Sequence, residues 1–342
     1  MSRRRGSASW VRAFNRSLRA VTRAALTPPR AAPKKKPVRA ATPAPRKAPA
    51  AGAGDWQPGL AMGPGGARRY RLYRPPDLLP GERLPLLVML HGCGQDAAGF
   101  AASTRMNTLA RRERFMVLYP EQDRLAHPQR CWNWYALRNG RAQSEMALLM
   151  LAIDQVCLLQ PVDPARIAIA GLSAGASMAA LLATRHPARF RAVVMHSGVA
   201  PGAAESTATA LAAMRGQRLP APGTASAGPS TVRWPPLLVI QGADDGVVSP
   251  RNGTAAALLW AEHAGAKPMA PRVLRRGQRH PMAVTDFKQR ARVVASLVDV
   301  SRLGHAWSGG AASQAFSDAN GPDATRMAWA FIEKQFRLPP PA

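Results

Sequence analysis

The chain has 342 residues, enough to bury a large core in one big α/β domain or two smaller ones. Its formal charge is +28, from 47 Lys+Arg against 19 Asp+Glu, and its three cysteines exclude a disulfide-stapled mini-protein and lack the spacing of a zinc site. No run approaches 18 apolar residues, so no transmembrane helix is expected.

The charge is unevenly spread. Residues 1–50 hold 14 basic residues and no acidic one, and the remaining 292 hold 33 basic and 19 acidic. At 100° per residue, Trp10, Val11, Phe14, Leu18, Val21 and Ala25 share one face of segment 8–26, and Arg12, Arg16, Arg19 and Arg23 the other. That pattern predicts a basic amphipathic helix for an anionic membrane or similar surface. Only Trp10 and Phe14 offer stacking faces among the tail's basic residues, so nucleic acid is not the expected partner. The same arginines break the uninterrupted apolar stretch a secretory signal needs, which predicts a cytoplasmic protein. Thr27 to Gly54 is Pro, Ala, Lys and Arg, too poor in apolar area to fold, and reads as a linker. Residues 1–67 are therefore expected to be an extension, and 68–338 the folded domain.

Tyr70–Tyr73 alternates like an edge strand, and Leu86–Leu90 is a short buried-type strand running into His91-Gly-Cys-Gly94. A helix over Ser103–Arg112, a strand Phe115–Tyr119 and an aromatic loop at Cys131–Tyr135 follow. Met146, Leu149, Met150, Ile153 and Val156 mark one face of a long helix. Ile167–Ala170 is a strand that enters Gly171-Leu-Ser-Ala-Gly175, with helix spacing from Ala174 to Thr184. A strand Ala192–Met195, a long loop over 199–235 holding one short helix (Ala208–Met214), a strand Leu237–Ile240 and a helix Thr254–His263 come next. A strand Val293–Val300 and a helix Asp323–Phe336 close the pattern. Apolar strands alternating with helices predict an α/β fold, a mostly parallel central sheet with helices on both faces.

Gly171-x-Ser173-x-Gly175 between strand and helix is the pattern of a nucleophile elbow, which lifts a serine hydroxyl above a sheet. Such a motif arises by accident in about one chain of this length in ten, so its context decides. In an α/β-hydrolase fold the acid and the histidine follow the serine at the ends of later strands. The strand Leu237–Ile240 leads to Gly242-Ala-Asp-Asp245, and the strand Val293–Val300 leads to Gly304-His305. Ser173 is thus the candidate nucleophile, His305 its base and Asp245 the carboxylate that orients the imidazole, with Asp244 as the neighbouring alternative. The oxyanion donors expected are the backbone N–H groups of Ala174 and Cys93. His91 reads as a structural turn residue, since the triad already has a base. No metal or cofactor site is expected, and no feature assigns an oligomeric state.

Leu90-His-Gly-Cys-Gly-Gln95, Tyr119-Pro-Glu-Gln122, Cys131-Trp-Asn-Trp134, Gly171-Leu-Ser-Ala-Gly175, Gly242-Ala-Asp-Asp245 and Gly304-His-Ala-Trp-Ser-Gly-Gly310 together resemble the polyhydroxybutyrate depolymerase family of esterases. The resemblance runs from about Tyr70 to Phe336. It implies an α/β-hydrolase fold, the Ser173, Asp245, His305 triad, and Cys93 close enough to Cys131 for a disulfide. It further implies a serine esterase acting on short-chain hydroxyalkanoate polyesters or oligomers; the basic amphipathic segment 8–26 would then hold the enzyme on a polymer granule or an anionic membrane. Family members are often secreted, which sets an extracellular location against the cytoplasmic one. No further substrate-binding domain is expected after residue 336, which argues against attack on crystalline polymer. Trp132, Trp134 and Trp307 flank the site in sequence and are expected to form an apolar wall for the acyl chain. A general carboxylesterase of feruloyl or acetyl-sugar type is the second reading. A non-catalytic protein binding granules, membranes or nucleic acid through its tail is the third.

Overall fold

The computed structural model describes residues 54–221 and 232–339; the helix expected over 8–26 lies outside the described residues. The chain enters the sheet earlier than expected. β1 (Asp55–Gly63) pairs antiparallel with β2 (Gly66–Arg74), so the sheet begins ahead of Arg68. Pro58 sits in this edge strand, where a missing N–H is tolerated. Gly59 is required by close approach: a Cβ there would meet the Tyr70 ring at 2.0 Å.

Six strands form the parallel centre: β3 (Leu84–Leu90), β4 (Met116–Pro120), β5 (Val162–Leu172), β6 (Ala192–His196), β7 (Leu237–Gly242) and β11 (Arg292–Val300). β8 (Lys267–Pro268), β9 (Arg272–Leu274) and β10 (Met282–Gln289) add an antiparallel margin that the hydropathy pattern did not reveal. The order is β1-β2-β4-β3-β5-β6-β7-β11-β10-β8, with β9 beside β10. Central strands are buried along almost their whole length, which is why they read as continuous apolar runs.

Helices α1 (Ala97–Thr104), α2 (Met106–Glu113) and α7 (Ala324–Arg337) pack into the core on one face. The helix expected over 103–112 is in fact two, broken where Arg105 adopts φ 55°. Helices α3 (Arg141–Leu159), α4 (Ala174–Arg185) and α6 (Arg251–Ala264) bury their apolar sides outside that cluster and cover the other face. α3 has the length and mean hydropathy (1.4) of a membrane span, but it is seated on β1, β2 and β5 as a core helix. Short α5 (Thr207–Met214) lies in the loop after β6, opened by a Ser206–Thr209 capping box. β12 (Trp307–Ser308) and β13 (Ser317–Asp318) form a small separate pair beyond β11. Parallel strands bring the loops after β3, β5, β6, β7 and β11 to one edge, where the candidate residues collect.

Candidate active site

Ser173 closes β5 and opens α4 with φ 57° and ψ −122°, a conformation costly for a residue with a side chain. The flanking glycines make it possible. A Cβ on Gly171 would lie 2.4 Å from the Gly175 backbone, and one on Gly175 would lie 2.2 Å from the Leu90 carbonyl oxygen. The Ser173 amide donates to the His196 carbonyl at 2.9 Å, which ties the turn to the end of β6. Ala174, next in line, is the first residue of α4, whose N-terminal amides carry the positive end of the helix dipole.

Asp245 and His305 come together from the loops after β7 and β11. His305 Nδ1 lies 2.8 Å from Asp245 Oδ2, with the aspartate side chain fully buried and the histidine 5% exposed. Asp245 Oδ1 accepts the Val247 and Val248 amides at 2.9 Å each, and Gln241 Nε2 donates to Oδ2 at 3.2 Å. Burial pushes the Asp245 pKa up. The charge of His305, the hydrogen bond with it, and the two amides outweigh that and hold the carboxyl below its usual range. With Nδ1 committed to Asp245, the other imidazole nitrogen is the one left to receive a proton. Asp244, the alternative, is exposed and does not share this geometry.

The loop after β3 borders the serine: a Cβ on Gly92 would stand 3.6 Å from Ser173 Cβ. Three of its amides are spent within the scaffold. Gly92 N donates to Gln95 Oε1 (2.9 Å), Gly94 N to the Gln129 carbonyl (2.7 Å) and Gln95 N to the Gly92 carbonyl (3.2 Å). The Cys93 N–H makes no hydrogen bond among the described residues and is free to donate. Cys93 is joined to Cys131 by a disulfide across a separation of 38 residues.

Beneath the loop lies a buried polar network that sequence reasoning missed. Glu145, 3% exposed, accepts from Gln122 Nε2 (2.6 Å), the Asn133 amide (2.9 Å) and Asn133 Nδ2 (2.6 Å). Gln122 Nε2 also reaches the Cys131 carbonyl (3.1 Å), and its Oε1 accepts from Arg68. The Tyr119–Gln122 and Cys131–Trp134 motifs, noted only as family marks, thus meet on one carboxylate and hold both ends of the disulfide-bearing segment. His91 belongs to the same scaffold. Its Nδ1 bonds the Gly92 carbonyl (2.8 Å), its Nε2 accepts the Gln122 amide (3.1 Å), and burial depresses its pKa to about 4.

The tryptophan wall is a correction. Trp132 and Trp307 are fully buried, and Trp134 is 7% exposed. Trp132 Nε1 donates to the His91 carbonyl (3.0 Å) with the Arg68 guanidinium over its ring, and Trp307 Nε1 donates to Thr325 Oγ1 (3.0 Å). Burial of the large apolar ring draws Trp132 and Trp307 into the core rather than to a substrate surface, and the acceptor each indole N–H finds there removes the cost of burying it. Trp307 stacks on His196, and His196 Nε2 accepts the Ser308 amide (3.0 Å). Burial first, then the charge of His305, lowers the His196 pKa to about 3.

A family model described as "Esterase PHB depolymerase" matches residues 68–262, more than half of the chain. Poly(3-hydroxyalkanoate) depolymerase C of Paucimonas lemoignei is 36% identical over 107 residues, 31% of this chain and 26% of its own length. Feruloyl esterase B of Neurospora crassa is 27% identical over 129 residues, 36% of this chain and 43% of its own. The chain therefore spans less than half the length of these curated relatives. Acetyl xylan esterase from Aspergillus awamori superposes with a TM-score of 0.62 at 18% identity, covering 82% of this chain and 100% of its own, which shows the α/β-hydrolase fold.

Proposed function

This chain belongs to the PHB depolymerase family of esterases, and from that premise we propose that it cleaves carboxylic ester bonds of short-chain poly(3-hydroxyalkanoate) material through an acyl-enzyme. The buried Asp245–His305 pair at 2.8 Å, at the same end of the parallel strands as the Ser173 elbow, supports the reading. His305 takes the Ser173 hydroxyl proton as the oxygen attacks the ester carbonyl. The Cys93 and Ala174 amides receive the oxyanion. Collapse expels the alcohol, which leaves with the proton from His305. Water, deprotonated by the same imidazole, then releases the carboxylic acid and restores the serine. Asp245 holds the imidazole tautomer and stabilises its charged form throughout.

A general carboxylesterase is the second reading, favoured by the likeness to feruloyl esterase B and by the withdrawal of Trp132 and Trp307 from the surface. Hydrolysis rates on hydroxybutyrate oligomers, amorphous polymer, and feruloyl and acetyl-sugar esters separate the two. Preference for the hydroxybutyrate substrates supports the first reading, and preference for feruloyl or acetyl-sugar esters overturns it. The Cys93–Cys131 disulfide favours an oxidising compartment over the cytoplasmic one expected from the tail. Segment 8–26 supplies attachment to a granule or anionic membrane, and undiminished binding after deletion of residues 1–50 contradicts that role.

A further inference from the structure

A cavity of about 420 Å³ opens between α1, α2 and the start of α7, with none of Ser173, Asp245 and His305 in its lining. Arg105, Arg112, Arg276, Arg279 and Arg326 line it, and Asp323 is the one carboxylate among the described lining residues. That carboxylate is spent on its own helix: Asp323 Oδ1 accepts the Arg326 amide (3.0 Å), and Oδ2 lies 3.5 Å from Arg326 Nε. Arg112 pairs with Glu113 at 2.7 Å. The other three arginines have no carboxylate partner among the described residues.

Two of these three are nonetheless held in place. Arg105 Nη2 donates to the Gly309 carbonyl (2.6 Å), and Arg279 Nη1 donates to the carbonyls of Gly321 (2.6 Å) and Ala319 (3.2 Å). Carbonyl oxygens orient a guanidinium without neutralising it, so positive charge is concentrated in a concave site and left uncompensated. Like charges gathered this way destabilise the fold unless a counter-charge joins them. Guanidinium forks match phosphate and carboxylate oxygens geometrically. A single carboxylate leaves most of the charge unmet, whereas a phosphate-class anion brings several negative charges at once.

We propose that this groove is a binding site for a multiply charged phosphate-class anion, either free in solution or borne on a lipid headgroup. The site is separate from the proposed ester-cleaving centre, and two contacts tie it to the chain beyond that centre's histidine. Arg105 grips Gly309, and Ser308 Oγ donates to the Pro322 carbonyl (2.6 Å), both in the segment that follows His305.

The test is phenylglyoxal footprinting of the full chain, with arginine modification mapped by peptide mass spectrometry. Inorganic pyrophosphate is one arm, vesicles containing phosphatidic acid a second, and sodium chloride at matched ionic strength the control. The expected result is slowing of Arg276 modification by about tenfold, the scale of a lost charge-assisted hydrogen bond, with exposed Arg185 unaffected. Protection by pyrophosphate identifies a free anion, and protection by vesicles alone identifies the headgroup. Arg276→Glu, an exposed change that leaves ester hydrolysis intact, is expected to abolish protection at Arg112. Equal slowing by sodium chloride, equal slowing at Arg185, or unchanged Arg112 protection in the variant overturns the site.

Discussion

The His196 ring accepts the Ser308 amide at 3.0 Å while its own carbonyl accepts the amide of Ser173 at 2.9 Å. One residue at the end of β6 thereby spans the nucleophile turn and the segment three residues beyond His305. The acceptor role requires a neutral ring, and burial enforces it by pulling the pKa to about 3. His196 acts through these neighbours as a positioning residue. His196→Ala is expected to lower kcat for p-nitrophenyl butyrate by about 100-fold with KM little changed, the scale of a misplaced reacting group. His196→Gln, which keeps an acceptor, recovers much of the loss. A change confined to KM, or no recovery with glutamine, contradicts the role.

The two adjacent aspartates separate cleanly. Asp245→Asn keeps the shape but removes the charge that fixes the imidazole, and is expected to cost about 10³-fold or more in kcat. Exposed Asp244→Asn is expected to leave the rate within about threefold, since surface changes away from a site have small effects. Steady-state kinetics on both variants decide it, and a reversed order assigns the carboxylate to Asp244.

Much of the site was legible because its signals are local in sequence. The glycines around Ser173 and the positions of Asp245 and His305 just after strands can be found without knowing what packs where. The Glu145 network could not be found that way. Arg68, Gln122, Asn133 and Glu145 lie on separate elements, and only the pairing of β2 with β4 and the packing of α3 bring them together. β1 was hidden by Pro58 and two glycines, and β10 by a half-buried sequence without clear alternation. The tryptophans misled for a related reason. Nearness in sequence to a site does not say on which side of the loop a ring packs.

The elbow glycines give a steric prediction. Gly175→Ala places a methyl 2.2 Å from the Leu90 carbonyl oxygen and 2.5 Å from that of His91, both backbone atoms that cannot step aside. Destabilisation of about 3 kcal/mol or more, with loss of activity, is expected in urea unfolding. Gly246→Ala, where a Cβ meets nothing within 4 Å, is the control and is expected to unfold like wild type.

Acid should weaken the fold in a defined window. His91 and His196 have folded pKa values of about 4 and about 3 against an ordinary 6.5, both through burial. Both are neutral in the fold, while the unfolded chain binds protons as the pH drops below that ordinary value. Their contribution is therefore complete above the ordinary value and is lost as pH falls towards the folded ones, by about 1.4 kcal/mol per unit for each. Asp245, whose pKa is depressed, adds a loss at still lower pH. Thermal midpoints measured from pH 7.5 to pH 4.5 should fall for wild type and fall less for His91→Gln. Parallel curves contradict the assignment.

The disulfide closes the segment that joins the loop after β3 to the Glu145 network. Cys93→Ser with Cys131→Ser is expected to cost about 3–4 kcal/mol by the chain-entropy account of such a loop. Unfolding in the presence of reductant should reproduce the shift in wild type. Equal stability with and without reductant means the bond does not support the fold.

Ser173 is the proposed nucleophile, and covalent labelling reads that role out at a single residue. A fluorophosphonate probe followed by peptide mass spectrometry is expected to modify wild type once, on Ser173, with loss of p-nitrophenyl butyrate hydrolysis in proportion to labelling. Ser173→Ala should neither label nor hydrolyse. Labelling at another serine, or hydrolysis by Ser173→Ala at the wild-type rate, contradicts the account.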